Sequence, residues 1–159
     1  MTRSVHLAVC LAALLAVAGP VAAQVVCADD RVTVSGDWGR ASFSVAIADD
    51  AAERSRGLMF VERMAMMSGM LFIYESPQRA SFWMENTLIP LDILFADTSG
   101  RIVTVHQNAV PLDRTPIPGG DGIRFVLEIN GGMAGRLGIV PGDALQHPAI
   151  GPDPVAPCS

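Results

Sequence analysis

Apolar residues in this chain recur at every second position, in short runs broken by Gly, Pro and Asp. Val32 and Val34 alternate with Thr33 and Ser35, and Phe43, Val45 and Ile47 alternate with small residues. Leu91, Ile93 and Phe95 stand against Asp92, and Ile123, Phe125, Leu127 and Ile129 against Arg124, Glu128 and Asn130. A period of two belongs to a strand with one face turned inward. Further strands are expected at 69–74, 80–84 and 101–110, and a last short one after the Pro141-Gly142-Asp143 turn. Helical signals are confined to two places. Asp50 with Glu53 three positions on forms a capping box that opens a helix to about Met59, and a second short helix is expected around 132–137. The expected fold class is α+β and predominantly β, a compact barrel-like, mainly antiparallel sheet with two short helices.

The first 23 residues do not belong to that domain. A charged start with Arg3 precedes a run over 7–18 of only Leu, Ala, Val and one Cys, then Gly19-Pro20 and the small residues Val21-Ala22-Ala23. This is the pattern of a secretory signal cleaved after about Ala23, so the mature protein is expected in the periplasm or outside the cell. The run is too short for a bilayer, which needs roughly 20 residues, and no membrane span is expected in the mature chain. Removing 23 of 159 residues leaves 136, one domain over 24–145 and a Pro-rich tail over 146–159, expected to be extended and mobile except where Cys158 tethers it. Cys27 and Cys158 survive cleavage, and in an oxidising compartment an even pair suggests a disulfide. Closing so long a loop is worth on the order of 5 kcal/mol in the chain-entropy model. Free thiols and intermolecular pairing remain the alternatives.

All 11 basic residues of the chain are arginine. Without lysine there is no Schiff-base, pyridoxal or phosphate-loop lysine chemistry. A net charge of −5 argues against a nucleic-acid partner, which needs a basic footprint. No Cys-x-x-Cys or paired-histidine spacing for zinc is present, and Ser81 and Ser99 lack the nucleophile-elbow pattern.

The densest chemistry lies in Ser81-Phe82-Trp83-Met84-Glu85-Asn86-Thr87-Leu88-Ile89-Pro90-Leu91-Asp92. An aromatic pair leads into a polar turn, Asn86-Thr87, and then to a carboxylate, Asp92, which is what a small-ligand pocket requires. The same residues also suit a plain turn with a solvated carboxylate. This stretch, with Arg56-Gly57-Leu58-Met59, Gly69-Met70-Leu71-Phe72 and Gly138-Ile139 through Pro141-Gly142-Asp143, resembles the signature of the domain of unknown function 192 family. The resemblance runs from about Val32 to Leu145. It implies a compact β-rich domain, often exported, and no particular reaction. Where the family pattern usually has Lys, this chain has Glu85.

By alternation, Arg124 and Glu128 share a strand face and join Arg56 and Asp92 as a candidate polar cluster, with arginine forks suited to a carboxylate or phosphate. A solvated strand face is the competing reading. Residues 111–122, rich in Pro and Gly, read equally as a lid or as a solvated hairpin connection. The leading expectation is a module that binds a small polar molecule or a peptide segment through Arg56, Phe82, Trp83, Asn86, Thr87, Asp92, Arg124 and Glu128, with no cofactor. One alternative is a Cu(I) site of Met64, Met66, Met67 and Met70 with His106, since thioethers are soft ligands. Another is a hydrolase built on the carboxylates of Asp92 and Glu128. Whether the chain is an enzyme stays open at this level.

Overall fold

The computed structural model describes residues 27–158, so the leader expected over 1–23 lies outside the described residues. Seven strands form one sheet: β1 (Arg31–Gly36), β2 (Gly39–Ala48), β3 (Ser68–Phe82), β4 (Leu91–Ala96), β5 (Ile102–Ala109), β6 (Ile117–Asn130) and β7 (Ala144–Gln146). Their order across the sheet is β5-β4-β6-β3-β2-β1-β7. Every neighbouring pair is antiparallel except β2 with β3. That parallel pair needs a crossover, and helix α1 (Ala51–Arg56) lies in it. The sheet curls into a half-barrel, and at one end its two edges meet. Ile102 N–H donates to the Asp143 carbonyl and Leu145 N–H to the Gly100 carbonyl, each at 2.8 Å. Contact between the edges uses up backbone groups that an open edge would expose.

Two apolar clusters sit on the two faces of the sheet. Phe43, Leu71, Leu94, Phe125, Leu127 and Ile129 belong to one, which helix α2 (Met133–Leu137) closes through Met133 and Ala134. Phe72, Ile93, Phe95, Ile123 and Val126 belong to the other, together with Leu58 from the segment after α1. Strand β4, flanked by β5 and β6, is therefore buried along its whole length. Helix α1 starts as expected: Glu53 N–H donates to the Asp50 carboxylate at 2.8 Å, and the Glu53 side chain accepts from the Asp50 N–H. It ends at Arg56 rather than near Met59, because Gly57 turns the chain at φ 49°.

Three expectations change. The strands expected at 69–74 and 80–84 are the two halves of β3, both paired with β6 across register shifts between Ile73 and Ser81. Residues 111–122 are not a loop throughout, since β6 begins at Ile117 and pairs with Phe82. Gly119 makes this possible: a Cβ there would stand 2.1 Å from the Phe95 ring, so only glycine lets the strand run over it. The same irregularity moves Ile123 to the face of Val126, away from Phe125, Leu127 and Ile129.

The tail also differs from an extended arm. Val155 N–H donates to the Ser99 carbonyl at 2.9 Å, Gln146 Nε2 to the Pro157 carbonyl at 3.1 Å, and Ile150 is buried. His147 holds the turn at its start, where Nδ1 accepts from Ala149 N–H at 3.1 Å and Nε2 lies 3.0 Å from the Asp29 carbonyl. Cys158 is disulfide-bonded to Cys27 with a Cα–Cα distance of 5.5 Å, closing a separation of 131 residues.

Candidate functional site

An open cavity of about 480 Å³ lies on the sheet face that carries the second cluster. Its walls come from the end of α1 and the Gly57-Leu58-Met59 turn, from both halves of β3 through Phe72, Tyr74 and Phe82, and from Trp83, Thr87 and Pro116. The register shifts in β3 fall between Tyr74 and Phe82, which line one hollow although eight positions separate them. Phe82 packs edge-on to Phe72 at 5.0 Å and to Phe95 at 5.5 Å, which anchors the wall to the core. Trp83, by contrast, is 51% exposed.

Glu128 also lines the cavity, and it is only 5% exposed. Among the described residues, no hydrogen bond or ion pair reaches its carboxyl. Burial without a partner penalises the charged form, and it pushes the Glu128 pKa up to about 8. At neutral pH the group is mostly a neutral acid, able to donate one hydrogen bond and accept others. Tyr74 is likewise raised, chiefly by burial, with the neighbouring Arg54 opposing.

The two arginines of α1 that line the cavity are not equivalent. Arg54 Nη1 donates to the Asp49 carbonyl and, at 2.9 Å, to the Ile73 carbonyl, while its guanidinium stands 5.4 Å from the Tyr74 ring centroid. It clamps helix α1 to β3. Arg56 is exposed, and among the described residues it has neither a hydrogen-bond nor an ion-pair partner.

Three loops laced together border this region. Phe60 N–H donates to the Asn86 carbonyl at 2.8 Å and Leu112 N–H to the Thr87 carbonyl at 3.1 Å. Phe60, Asn86 and Leu112 all have left-handed backbones, with φ of 65°, 54° and 63°. For bulky residues that conformation costs on the order of 1–3 kcal/mol each. Phe60 and Leu112 are nevertheless 64% and 61% exposed, so their side chains recover little of it by burial.

Asp92 has a different job. It is completely buried and accepts three backbone N–H groups, from Asn108 at 2.7 Å, Gly132 at 2.9 Å and Ala134 at 2.7 Å. Alternation along β4 places Ile93 and Phe95 in the cavity-side cluster and Leu94 in the other, so Asp92 points to α2 from the opposite face of the sheet. Asp143 is similar, accepting Trp38 Nε1–H at 2.7 Å and Val140 N–H at 3.0 Å.

A family model, DUF192, described as "Uncharacterized ACR", matches residues 31–147. The chain belongs to the DUF192 family. No curated protein matches it. Among solved structures, a neighbour from Novosphingobium aromaticivorans, described as a protein of unknown function, is 47% identical, with a TM-score of 0.71 over 72% of this chain and 82% of that one. Another, from Sinorhizobium meliloti and provisionally described as a transcription regulator, is 39% identical, with a TM-score of 0.71 over 77% of this chain and 95% of that one.

Seen on this fold, the DUF192 signature residues divide in two. Arg56, Gly57, Leu58, Met59, Phe72, Phe82, Trp83 and Thr87 line the cavity, whereas Asp92 and Asp143 fasten backbone. Asn86 is not on the wall, although its side-chain amide lies 3.8 Å from the Met59 sulfur. Glu85 does not line the cavity either, and it pairs with Arg114 at 2.7 Å. Of the cluster proposed from alternation, Arg56 and Glu128 meet at the cavity and Arg124 does not. The Arg124 Nε is buried without a partner, and its guanidinium stands 5.8 Å from the Phe125 ring centroid.

Met64 and Met70 pack against the second cluster, while Met66 and Met67 are exposed. His106 stands on β5 opposite Ile93 of β4. Among the described residues, no group of three or more His, Cys, Asp or Glu is placed to hold a metal ion. No described helix is long and apolar enough to cross a membrane. Sequence reading missed Tyr74, Phe72 and Arg54 as wall residues, and Tyr74 carries a usable signal as the only tyrosine of the chain.

Proposed function

We propose that this DUF192 domain is an exported binding module whose cavity takes a small molecule with an apolar body and polar ends. One observation carries the reading: Glu128, only 5% exposed and with no hydrogen-bond or ion-pair partner among the described residues, turns its carboxyl to an open space of about 480 Å³ beneath aromatic walls. Buried polar groups are ordinarily satisfied, so one that faces a roomy cavity unsatisfied is matched to something that enters. The volume lies in the range of small-ligand sites. The exposed side chains of Phe60 and Leu112 offer apolar contact beside it, which also suits a peptide segment laid across the opening.

Export is supported by the leader pattern and by the Cys27–Cys158 bond, which an oxidising compartment preserves. The regulator description of the Sinorhizobium neighbour is not adopted, because a chain of net charge −5 lacks the basic footprint for DNA. A Cu(I) site has less support, since two of its four methionines pack against the core. A hydrolase using Asp92 with Glu128 has less still, with the two carboxyls on opposite faces of the sheet.

Fragment screening by amide NMR on the disulfide-intact protein tests the proposal. Hits should shift the amides of Leu58, Tyr74, Trp83 and Glu128 together. A screen whose hits all fall elsewhere, or which yields none at millimolar concentration, removes the cavity as the site.

A further inference from the structure

The geometry points to a zwitterionic ligand, its cationic end seated on Glu128 among the aromatic rings and its anionic end on Arg56. This rests on the cavity being a binding site and adds the chemical class of its occupant. Two groups of opposite charge type line one cavity, Glu128 and Arg56, and among the described residues neither has a hydrogen-bond or ion-pair partner. Arg54, the other arginine of α1 on the wall, is held by two backbone carbonyls and the Tyr74 ring. On the flanking strands the residues directly opposite Glu128 are Met70 of β3 and Ile93 of β4, both uncharged. Tyr74 of β3 is the remaining titratable group with a coulombic link to Glu128. No cation is therefore supplied from within, and the carboxyl is left for one from outside.

The energetics favour a cation over a second acid. With a pKa raised to about 8 by burial, Glu128 is only about one pH unit from ionising at neutral pH, so an arriving ammonium need overcome roughly a tenfold bias. Phe82 and the exposed Trp83 on the cavity wall offer aromatic attraction for a cation and none for an anion. In the exchange the ligand ammonium keeps its protons, the Glu128 O–H bond breaks, and the proton leaves to solvent. At pH 7 this releases about 0.9 proton per ligand bound. A carboxylate at the other end then completes the arrangement, since a guanidinium binds it in a planar fork.

The probes are ω-amino acids of four, six and eight carbons, each compared with the straight-chain amine, carboxylate and alcohol of the same length. Binding is followed by calorimetry on the disulfide-intact protein in buffers of differing ionisation enthalpy. The best ω-amino acid should bind at least tenfold tighter than its carboxylate and alcohol counterparts and release close to one proton. Glu128→Gln should abolish that release and weaken binding at least tenfold, with its melting curve confirming the fold. Arg56→Gln should remove the preference for the amino acid over the plain amine. A carboxylate or alcohol that binds as tightly as the amino acid, a plain amine that matches it on the unaltered protein, or binding without proton release overturns the zwitterion and leaves the binding site standing. If no probe binds at millimolar concentration, both readings fall.

Discussion

The Asp92 carboxyl group and the backbone N–H of Ala134 stand 2.7 Å apart, joining strand β4 to the first turn of α2. Two further N–H groups, of Asn108 and Gly132, converge on the same side chain. A fully buried carboxyl group of this kind is tolerated because three donors replace its hydration. Asp92→Asn turns an amide N–H₂ toward at least one donor and should cost about 3 kcal/mol, read as a fall in the urea midpoint at unchanged slope. A loss below about 0.5 kcal/mol would show that the three bonds do not hold the helix.

The disulfide should account for a large share of stability. Cys27 and Cys158 close a separation of 131 residues, for which the chain-entropy model gives about 5 kcal/mol and engineered cases deliver less. Replacing both with serine should lower stability by about 2–5 kcal/mol and loosen the tail first, seen as faster amide exchange at Val155 and Ile150. Unchanged protection at those two amides would mean that the hydrogen bond to Ser99 and the burial of Ile150 suffice to hold the tail.

Gly57 is placed where only glycine fits. Its φ is 49°, and a Cβ would stand 3.2 Å from the Phe72 ring inside the cavity wall. Gly57→Ala should destabilise by about 1–3 kcal/mol and shift Phe72 ring resonances, with little effect at the distant Trp38. Equal stability of the variant would contradict the requirement for glycine at this turn.

How much of this was legible in the sequence depended on what each residue had to satisfy. Alternation and the Asp50–Glu53 capping box located strands and α1 because both signals are local. The strand face of Glu128 is legible for the same reason, since alternation sets it opposite Phe125, Leu127 and Ile129. Asp92 was assigned to the pocket because the sequence shows its type and not which face of a doubly buried strand it occupies. Its true partners lie 16, 40 and 42 positions away, and no local pattern announces them. The start of β6 was hidden for another reason: Pro116, Pro118 and Gly119 read as loop, and only the Phe95 ring beneath explains why a strand needs glycine there.

Glu128 makes stability depend on pH in an unusual direction for a carboxyl. Its pKa is raised from 4.5 to about 8 by burial, so between these values the unfolded chain gives up a proton that the folded one keeps. The contribution is complete below about pH 4.5 and fades as pH rises, at about 1.4 kcal/mol per pH unit until about pH 8. Glu128→Gln lacks this term and should overtake the unaltered protein in melting temperature on the alkaline side. Parallel melting curves of the two from pH 5 to 9 would speak against a neutral buried acid.

The most direct measurement is the titration of the Glu128 carboxyl carbon by ¹³C NMR in the ligand-free protein, assigned by its disappearance in Glu128→Gln. A midpoint near 8 is expected for an acid buried without a partner at the cavity wall. A midpoint in the ordinary carboxylate range, about 4 to 5, would mean that Glu128 is solvated or already paired, and would contradict the account of the cavity as a site awaiting its ligand.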